Sequence, residues 1–154
     1  GLPLLEQGEG GLGERVARVH ASLVATHGAG VLIGADTPQL SVELLVEAVA
    51  WLQQPGPRLS LGLARDGGFW LFGGNLAPPV EVWQQVRYSA RETARDLRVA
   101  LAGYGQWQML PELTDVDCAS DLAMALQEFQ RLPTLQPEQQ RLVDWMRTPL
   151  DEYV

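Results

Sequence analysis

Val31–Leu40, VLIGADTPQL, is the stretch whose reading decides the fold. A short apolar run, Val31–Ala35, reads as a strand, and it ends in a single carboxylate, Asp36. Thr37-Pro38 follows, and then a helical pattern from Ser41 to Gln53, with Val42, Leu45, Val49 and Leu52 on its apolar face. A buried strand that delivers a carboxylate to its own C-terminal end places it where open α/β sheets bind ligands. The same residues also fit a purely structural reading, in which Asp36 caps the next helix and Pro38 sits in its first turn.

Working outward, helices alternate with short apolar strands. Val16, Val19, Leu23 and Val24 share one face of a helix that ends near His27-Gly28. Leu59–Ala64 and Phe69–Phe72 read as two strands around Arg65-Asp66-Gly67-Gly68, close enough in sequence to be antiparallel. Pro79–Arg87 and Ala90–Ala102 read as helices, Trp107–Leu110 as a strand, and Ala119–Arg131 and Pro137–Arg147 as helices. At the start, at most Leu2–Leu5 is a short strand. This order predicts an α/β domain with a mixed, mostly parallel sheet flanked by helices over residues 1–133. A helical extension over 134–154 follows, with a buried face expected from Leu142, Trp145 and Met146.

Composition removes several function classes. The chain has 154 residues, enough for one real core, and 46% apolar against 19% charged residues argues against global disorder. A net charge of −8 disfavours nucleic acid, which needs a basic stripe. No run approaches membrane-spanning length, so no membrane partner is expected. Cys118 is the single cysteine, which excludes an internal disulfide and fits a reducing cytoplasm. His20 and His27 lie seven apart, the wrong spacing for a two-histidine metal site on one helix, and are expected at the surface. No HExxH and no Gly-x-Ser-x-Gly occurs.

Three further stretches carry candidate chemistry. Asp66-Gly67-Gly68 is a tight hairpin turn, and its glycines would also let a ligand approach the backbone beside the Asp66 carboxylate. Asp115-Val116-Asp117-Cys118-Ala119-Ser120-Asp121 places three carboxylates at a helix start. Capping accounts for one or two of them. In an extended segment Asp115 and Asp117 point the same way, and two parallel carboxylates call for a hard divalent cation or an arginine nearby. Gly8–Arg15 is either a mobile loop or an anion cradle at a helix N-terminus, and it lacks the Lys-Ser/Thr of a P-loop. Tryptophans are expected in the core, with Trp70, beside the turn, able to line a pocket.

Four stretches in this order, Gln7–Arg15 (QGEGGLGER), Ile33–Leu40 (IGADTPQL), Ala64–Leu71 (ARDGGFWL) and Asp115–Leu122 (DVDCASDL), together with the weaker Val86-Arg87-Tyr88-Ser89, resemble a known family. It is the bacterial family of glycosyltransferase-like proteins labelled radical-SAM/selenodomain-associated transferases. That family is similar to the molybdenum-cofactor guanylyltransferases and to other nucleotide-diphospho-sugar transferases of GT-A fold. The resemblance implies a three-layer sandwich and a transferase that uses a nucleotide or nucleotide-sugar donor with Mg²⁺ or Mn²⁺. It places Asp36 and Asp117 at the metal, and Asp66, Gly67, Gly68 and Trp70 on the acceptor or sugar side. Gly10, Gly11, Gly13 and Arg15 fall in the nucleotide-side loop.

Two departures are substitutions: Gly11 stands where the family usually has Asp, and Cys118 where Thr is usual. The third is larger, because nothing before Gly8 supplies the opening strand and nucleotide-gripping loop of such folds. That predicts either an N-terminal segment missing from this chain or a homo-oligomer that covers the exposed sheet edge. Two functions follow as expectations, a metal-dependent glycosyl- or nucleotidyltransferase and a non-catalytic, oligomerising or partner-binding relative.

Overall fold

The apolar runs and the turns between them build a four-stranded sheet with helices on both faces. The computed structural model describes residues 4–148. In chain order it contains α1 (Leu12–His27), β1 (Gly30–Ile33), α2 (Val42–Leu52), β2 (Arg58–Ala64), β3 (Phe69–Gly74), α3 (Val80–Trp83), α4 (Thr93–Ala100), β4 (Gln106–Leu113), a 3₁₀ turn at Ala119–Asp121, α5 (Leu122–Phe129) and α6 (Pro137–Arg147). No helix among these residues is long and apolar enough to cross a membrane.

The strand order is β1-β3-β2-β4. The sheet is mixed, as expected, but it is not mostly parallel in its pairings: β1–β3 and β2–β3 are antiparallel, and β2–β4 is parallel. The tight turn at 65–68 folds β3 back against β2, and β3 then inserts between β2 and β1. Strands β1, β2 and β4 nevertheless run in one direction and end at one edge of the sheet. The strand whose reading decides the fold is not the central one: β1 is an outer strand, paired only with β3 among the described residues. Leu4 and Leu5 form no strand, and Leu2 lies outside the described residues.

One core lies under α1, α3 and α4, where Leu59, Leu61 and Phe72 meet Ala17, Trp83 and Leu97. A second lies under α2, where Ala48 meets Trp70, Leu71, Leu110 and Leu113. Simple alternation would put Trp70 and Phe72 on one face. A bulge prevents it: Leu71 pairs with Gly62 and Phe69 with Leu63, leaving Trp70 as the extra residue. The bulge swings the Trp70 indole onto the α2 face, where its N–H donates to the Pro111 carbonyl at 3.1 Å.

Helix ends follow the local chemistry. Ser41, not Asp36, is the N-cap of α2, and its hydroxyl accepts from the Leu44 N–H at 3.4 Å. The capping role for Asp36 is thereby removed. In α1 the Gly11 N–H is held by the Glu14 carboxylate at 2.8 Å, and Gly28 closes the helix in the left-handed conformation. Helix α6 docks through Gln139, whose amide donates to the carbonyls of Pro38 and Leu40 at 3.0 and 2.9 Å. Its buried residue is Val143, and Trp145 is exposed, because the helix turns a narrower face inward than the pattern implied. Residues 149–154 of the expected 134–154 extension lie outside the described residues.

His20 corrects another expectation, since it is fully buried. It packs edge-on against Phe72 with ring centroids 5.0 Å apart, and lies 5.9 Å from the Trp83 ring. Neither ring nitrogen has a hydrogen-bond partner, though the carbonyls of Gly74 and Gly30 lie nearby. Burial pushes its pKa down to about 4 from the usual 6.5, against the smaller opposing pull of those carbonyls. The fold therefore holds His20 neutral. Its contribution is complete above pH 6.5 and is lost as pH falls towards 4, on the order of 3 kcal/mol in all. A His20→Leu variant should lose that part of the acid sensitivity, which urea unfolding at pH 7 and pH 4.5 measures. An equal pH dependence in both proteins would contradict it.

Candidate functional site

The C-terminal ends of β1, β2 and β4 meet at one edge of the sheet, and each leads into a loop that carries a carboxylate. After β1 comes Asp36, after β2 Asp66, and after β4 Asp115 and Asp117. The backbone joins these loops directly. The Val116 N–H donates to the Asp36 carbonyl at 2.8 Å, and the Arg65 N–H donates to the Leu113 carbonyl at 3.1 Å. The Gly34 N–H donates to the Trp70 carbonyl at 2.9 Å, which carries the β1–β3 ladder up to the same edge.

The result is a cleft of about 460 Å³ in which Asp36, Asp66, Asp115 and Asp117 all stand on the wall, with Trp70 and Gly68 beside them. Carboxylate oxygens of Asp66, Asp115 and Asp117 lie within 4.8 Å of one another. No ion pair reaches any of the four among the described residues. Burial pushes the Asp115 carboxyl up, its own N–H pulls it back, and the charges of Asp66, Asp117 and Asp36 raise it further. Oxygen donors alone, close together and without an arginine on them, suit a hard divalent cation.

A buried network holds the loops in place. Glu128 of α5 accepts from the Thr114 N–H at 3.0 Å and hydroxyl at 2.9 Å, from the Gln39 amide at 2.7 Å and from Arg65 Nε at 3.2 Å. Gln39 also donates to the Thr114 carbonyl at 2.6 Å. Each partner lies close in sequence to a cleft carboxylate: Gln39 is three residues after Asp36, Arg65 precedes Asp66, and Thr114 precedes Asp115. Burial raises the Glu128 carboxyl, but the donated hydrogen bonds outweigh it and leave its pKa below the ordinary value.

The turn at 65–68 is fixed from both sides. The Gly68 N–H donates to the Asp66 carboxylate at 2.6 Å, and the Gly67 carbonyl accepts from the Ala94 N–H at 2.9 Å. Gly67 has φ +97°, and a Cβ there would strike the Arg91 carbonyl. Only glycine fits both constraints.

The expected nucleotide-side loop leads into the helix that borders the cleft. Leu12 and Val16 of α1 line it, but Gly10, Gly11, Gly13 and Arg15 do not. Gly13 is buried against Tyr88 and the Trp83 carbonyl, where a Cβ would come within 2.9 Å of that oxygen. Arg18 closes the loop by donating to the carbonyls of Gln7 and Glu9, the latter at 2.8 Å. The loop is therefore pinned rather than free, and Glu14 already occupies the N-terminus of α1.

The family resemblance assigned no role to three residues that stand at the site: Asp115, Tyr88 and Ser89. Asp115 belongs with Asp66 and Asp117 in the carboxylate group, for which the even spacing of Asp115 and Asp117 was the available signal. Tyr88 and Ser89 also line the cleft. Burial pushes the Tyr88 phenol up to about 12, its hydroxyl has no partner, and Ser89 is held at φ +55°. Positive φ at a non-glycine residue is costly and concentrates at functional sites.

Glu128→Ala would leave the buried Thr114 hydroxyl and N–H without their acceptor and remove one of the two acceptors of the Gln39 amide, for a loss of about 3 kcal/mol or more. Because the Glu128 pKa is lowered, its contribution is present above pH 4.5 and lost as pH falls below it. Chemical denaturation at pH 7 measures the first effect. A loss below about 1 kcal/mol would show that the network does not hold the loops.

Comparison with known proteins agrees with this architecture. A protein from Desulfovibrio desulfuricans G20, described as a candidate nucleotide-diphospho-sugar transferase, has a crystal structure that superposes with a TM-score of 0.67 at 26% identity. The match covers 91% of this chain and 62% of that one, so this chain spans under two thirds of its neighbour's length. The curated proteins contain no match. Residues 1–90, more than half of the chain, match the model of a family described as uncharacterized proteins conserved in bacteria (DUF2064), and the chain belongs to that family.

Proposed function

We propose that the chain forms the acidic, donor-phosphate side of a metal-dependent transferase that uses a nucleotide-activated donor, of glycosyl- or nucleotidyltransferase type. The observation that carries this reading is the group of Asp66, Asp115 and Asp117 oxygens within 4.8 Å, unpaired with any cationic side chain among the described residues. Its place at the C-terminal edge of three strands and the fold shared with the Desulfovibrio protein support it. The finer likeness to radical-SAM/selenodomain-associated transferases is part of the same proposal.

Asp66, Asp115 and Asp117 would hold Mg²⁺ or Mn²⁺, with Asp36 on the same wall to take up a remaining position. A cation held there supplies charge neutralisation at the donor's phosphate oxygens. Because burial and its acidic neighbours raise the Asp115 carboxyl, protons compete with a cation there as pH falls, so binding is expected to weaken in acid. Gly68 leaves the backbone open beside Asp66, and Trp70 forms the apolar floor. Leu12 and Val16 bring α1 to the cleft, which supports a nucleotide-side role for the 8–15 loop. In that role Glu14 would release the Gly11 N–H to an anion, and Arg15, whose buried Nε lacks a partner, would supply a further donor.

A second reading is a non-catalytic relative that acts by association. The outer edge of β1, unpaired among the described residues, and the exposed Val42, Val46 and Val49 on α2 favour it. A thermal-shift panel of nucleotides and nucleotide-sugars, each with and without Mn²⁺, separates the two. A ligand at 100 times its Kd stabilises the fold by about 2.7 kcal/mol. The transferase reading predicts a shift that needs both metal and one nucleotide and is lost in Asp36→Asn. No shift with any pair would contradict it, and an unchanged affinity in Asp36→Asn would remove Asp36 as a metal ligand.

A further inference from the structure

Every cationic residue of this chain is an arginine, and they are outnumbered 19 to 11 by acidic residues. Against that balance, four arginines line one groove of about 730 Å³. Arg65 comes from the turn after β2, Arg91 from the approach to α4, and Arg95 and Arg98 from α4 itself. Arg95 and Arg98 are three apart on α4 and so share one side of the helix, and Arg91 lies two residues before its first turn. The one acidic residue on the wall is Glu112, which pairs with Arg65 at 3.4 Å. Arg95 reaches Asp96 at 3.6 Å, but that carboxylate already holds Arg87 at 2.6 Å. Arg91 and Arg98 have no carboxylate partner among the described residues.

The rest of the wall is apolar. Trp107 is half-buried, and Leu63, Val99 and Ala102 extend it, with Val99 exposed by 71%. The groove is of a size that holds a small molecule. It lies on the other side of the Gly67-Gly68 turn from the carboxylate cleft, and Gly68 lines both. The Gly67 carbonyl holds the Ala94 N–H, so α4 and its arginines are fixed relative to Asp66.

We propose that this groove binds the second substrate, an acceptor that carries a phosphate or carboxylate group on an apolar body. The identification of the ligand as an acceptor rests on the transferase reading above, whereas its chemistry follows from the groove alone. Arginines without acidic partners present planar forks suited to phosphate and carboxylate oxygens. Trp107 and Val99 offer the apolar surface for the body. A polyanion is disfavoured by the net charge of −8 and by the carboxylates next door.

Isothermal titration with 1-naphthyl phosphate, 1-naphthoate and 1-naphthol tests this, with a short oligothymidylate as a fourth probe. The two anions are expected to bind and the neutral naphthol at least tenfold more weakly; the tighter anion names the head group. Arg91→Ser/Arg98→Ser should weaken the anions at least tenfold while Mn²⁺ binding stays unchanged, and each single variant should do so in part. Trp107→Leu should weaken all three naphthyl probes. No anion binding, equal binding in the double variant, or preference for the oligothymidylate would overturn the proposal. The metal reading fails separately: Asp115→Asn would then leave Mn²⁺ binding intact while naphthyl phosphate still depended on Arg91 and Arg98.

Discussion

The carboxylate of Glu128 is the contact on which the site depends. It is buried, and its oxygens accept hydrogen bonds from three separate parts of the chain: Gln39, Arg65 and Thr114. Arg65 and Thr114 adjoin Asp66 and Asp115, and Gln39 lies three residues after Asp36. Four carboxylates repel one another, so their loops would separate unless something else bound them together. Glu128 does so without charge compensation at the aspartates themselves. The donors that hold it ionised are backbone, amide, hydroxyl and one guanidinium, and the single arginine is committed to Glu128 and Glu112. The aspartates are thereby left available to a ligand.

This arrangement divides charge over a short distance. On one side of the Gly67-Gly68 turn stand the acidic residues, and on the other stand the arginines of α4 and its approach. The turn is thin because residue 67 has no side chain and touches the Arg91 backbone. On the proposed reading, a cationic centre and an anionic group would sit on opposite faces of the same backbone. In a transfer reaction the two reactants must be held near one another yet kept apart until aligned, and such a partition meets both needs.

Much of the layout was legible in the sequence. The run Val31–Ile33 followed by Asp36, the hairpin at Asp66-Gly67-Gly68 and the even spacing of Asp115 and Asp117 all announced carboxylates at strand ends. What local pattern could not give was anything that depends on distant partners. Gln39 and Glu128 are 89 residues apart, and neither carries a motif. The bulge that turns Trp70 away from Phe72 depends on the register against β2. The outer position of β1 depends on where β3 inserts, and a hairpin reads the same whichever strand lies beyond it. His20 has an ordinary helical context, and only the packing of Phe72 and Trp83 around it makes it a core residue. Asp36 illustrates the opposite case: its position before a helix fitted a cap, but Ser41 lies nearer to α2 and takes that role.

The central claim is that Asp66, Asp115 and Asp117 form one centre for a divalent cation. Titration of Mn²⁺ followed by electron paramagnetic resonance, on the unmodified chain and on Asp115→Asn, tests it most directly. The account predicts one tightly held Mn²⁺ per chain and at least a tenfold weaker affinity in the variant. No bound Mn²⁺ at millimolar concentration, or the same affinity with Asn at position 115, would contradict it.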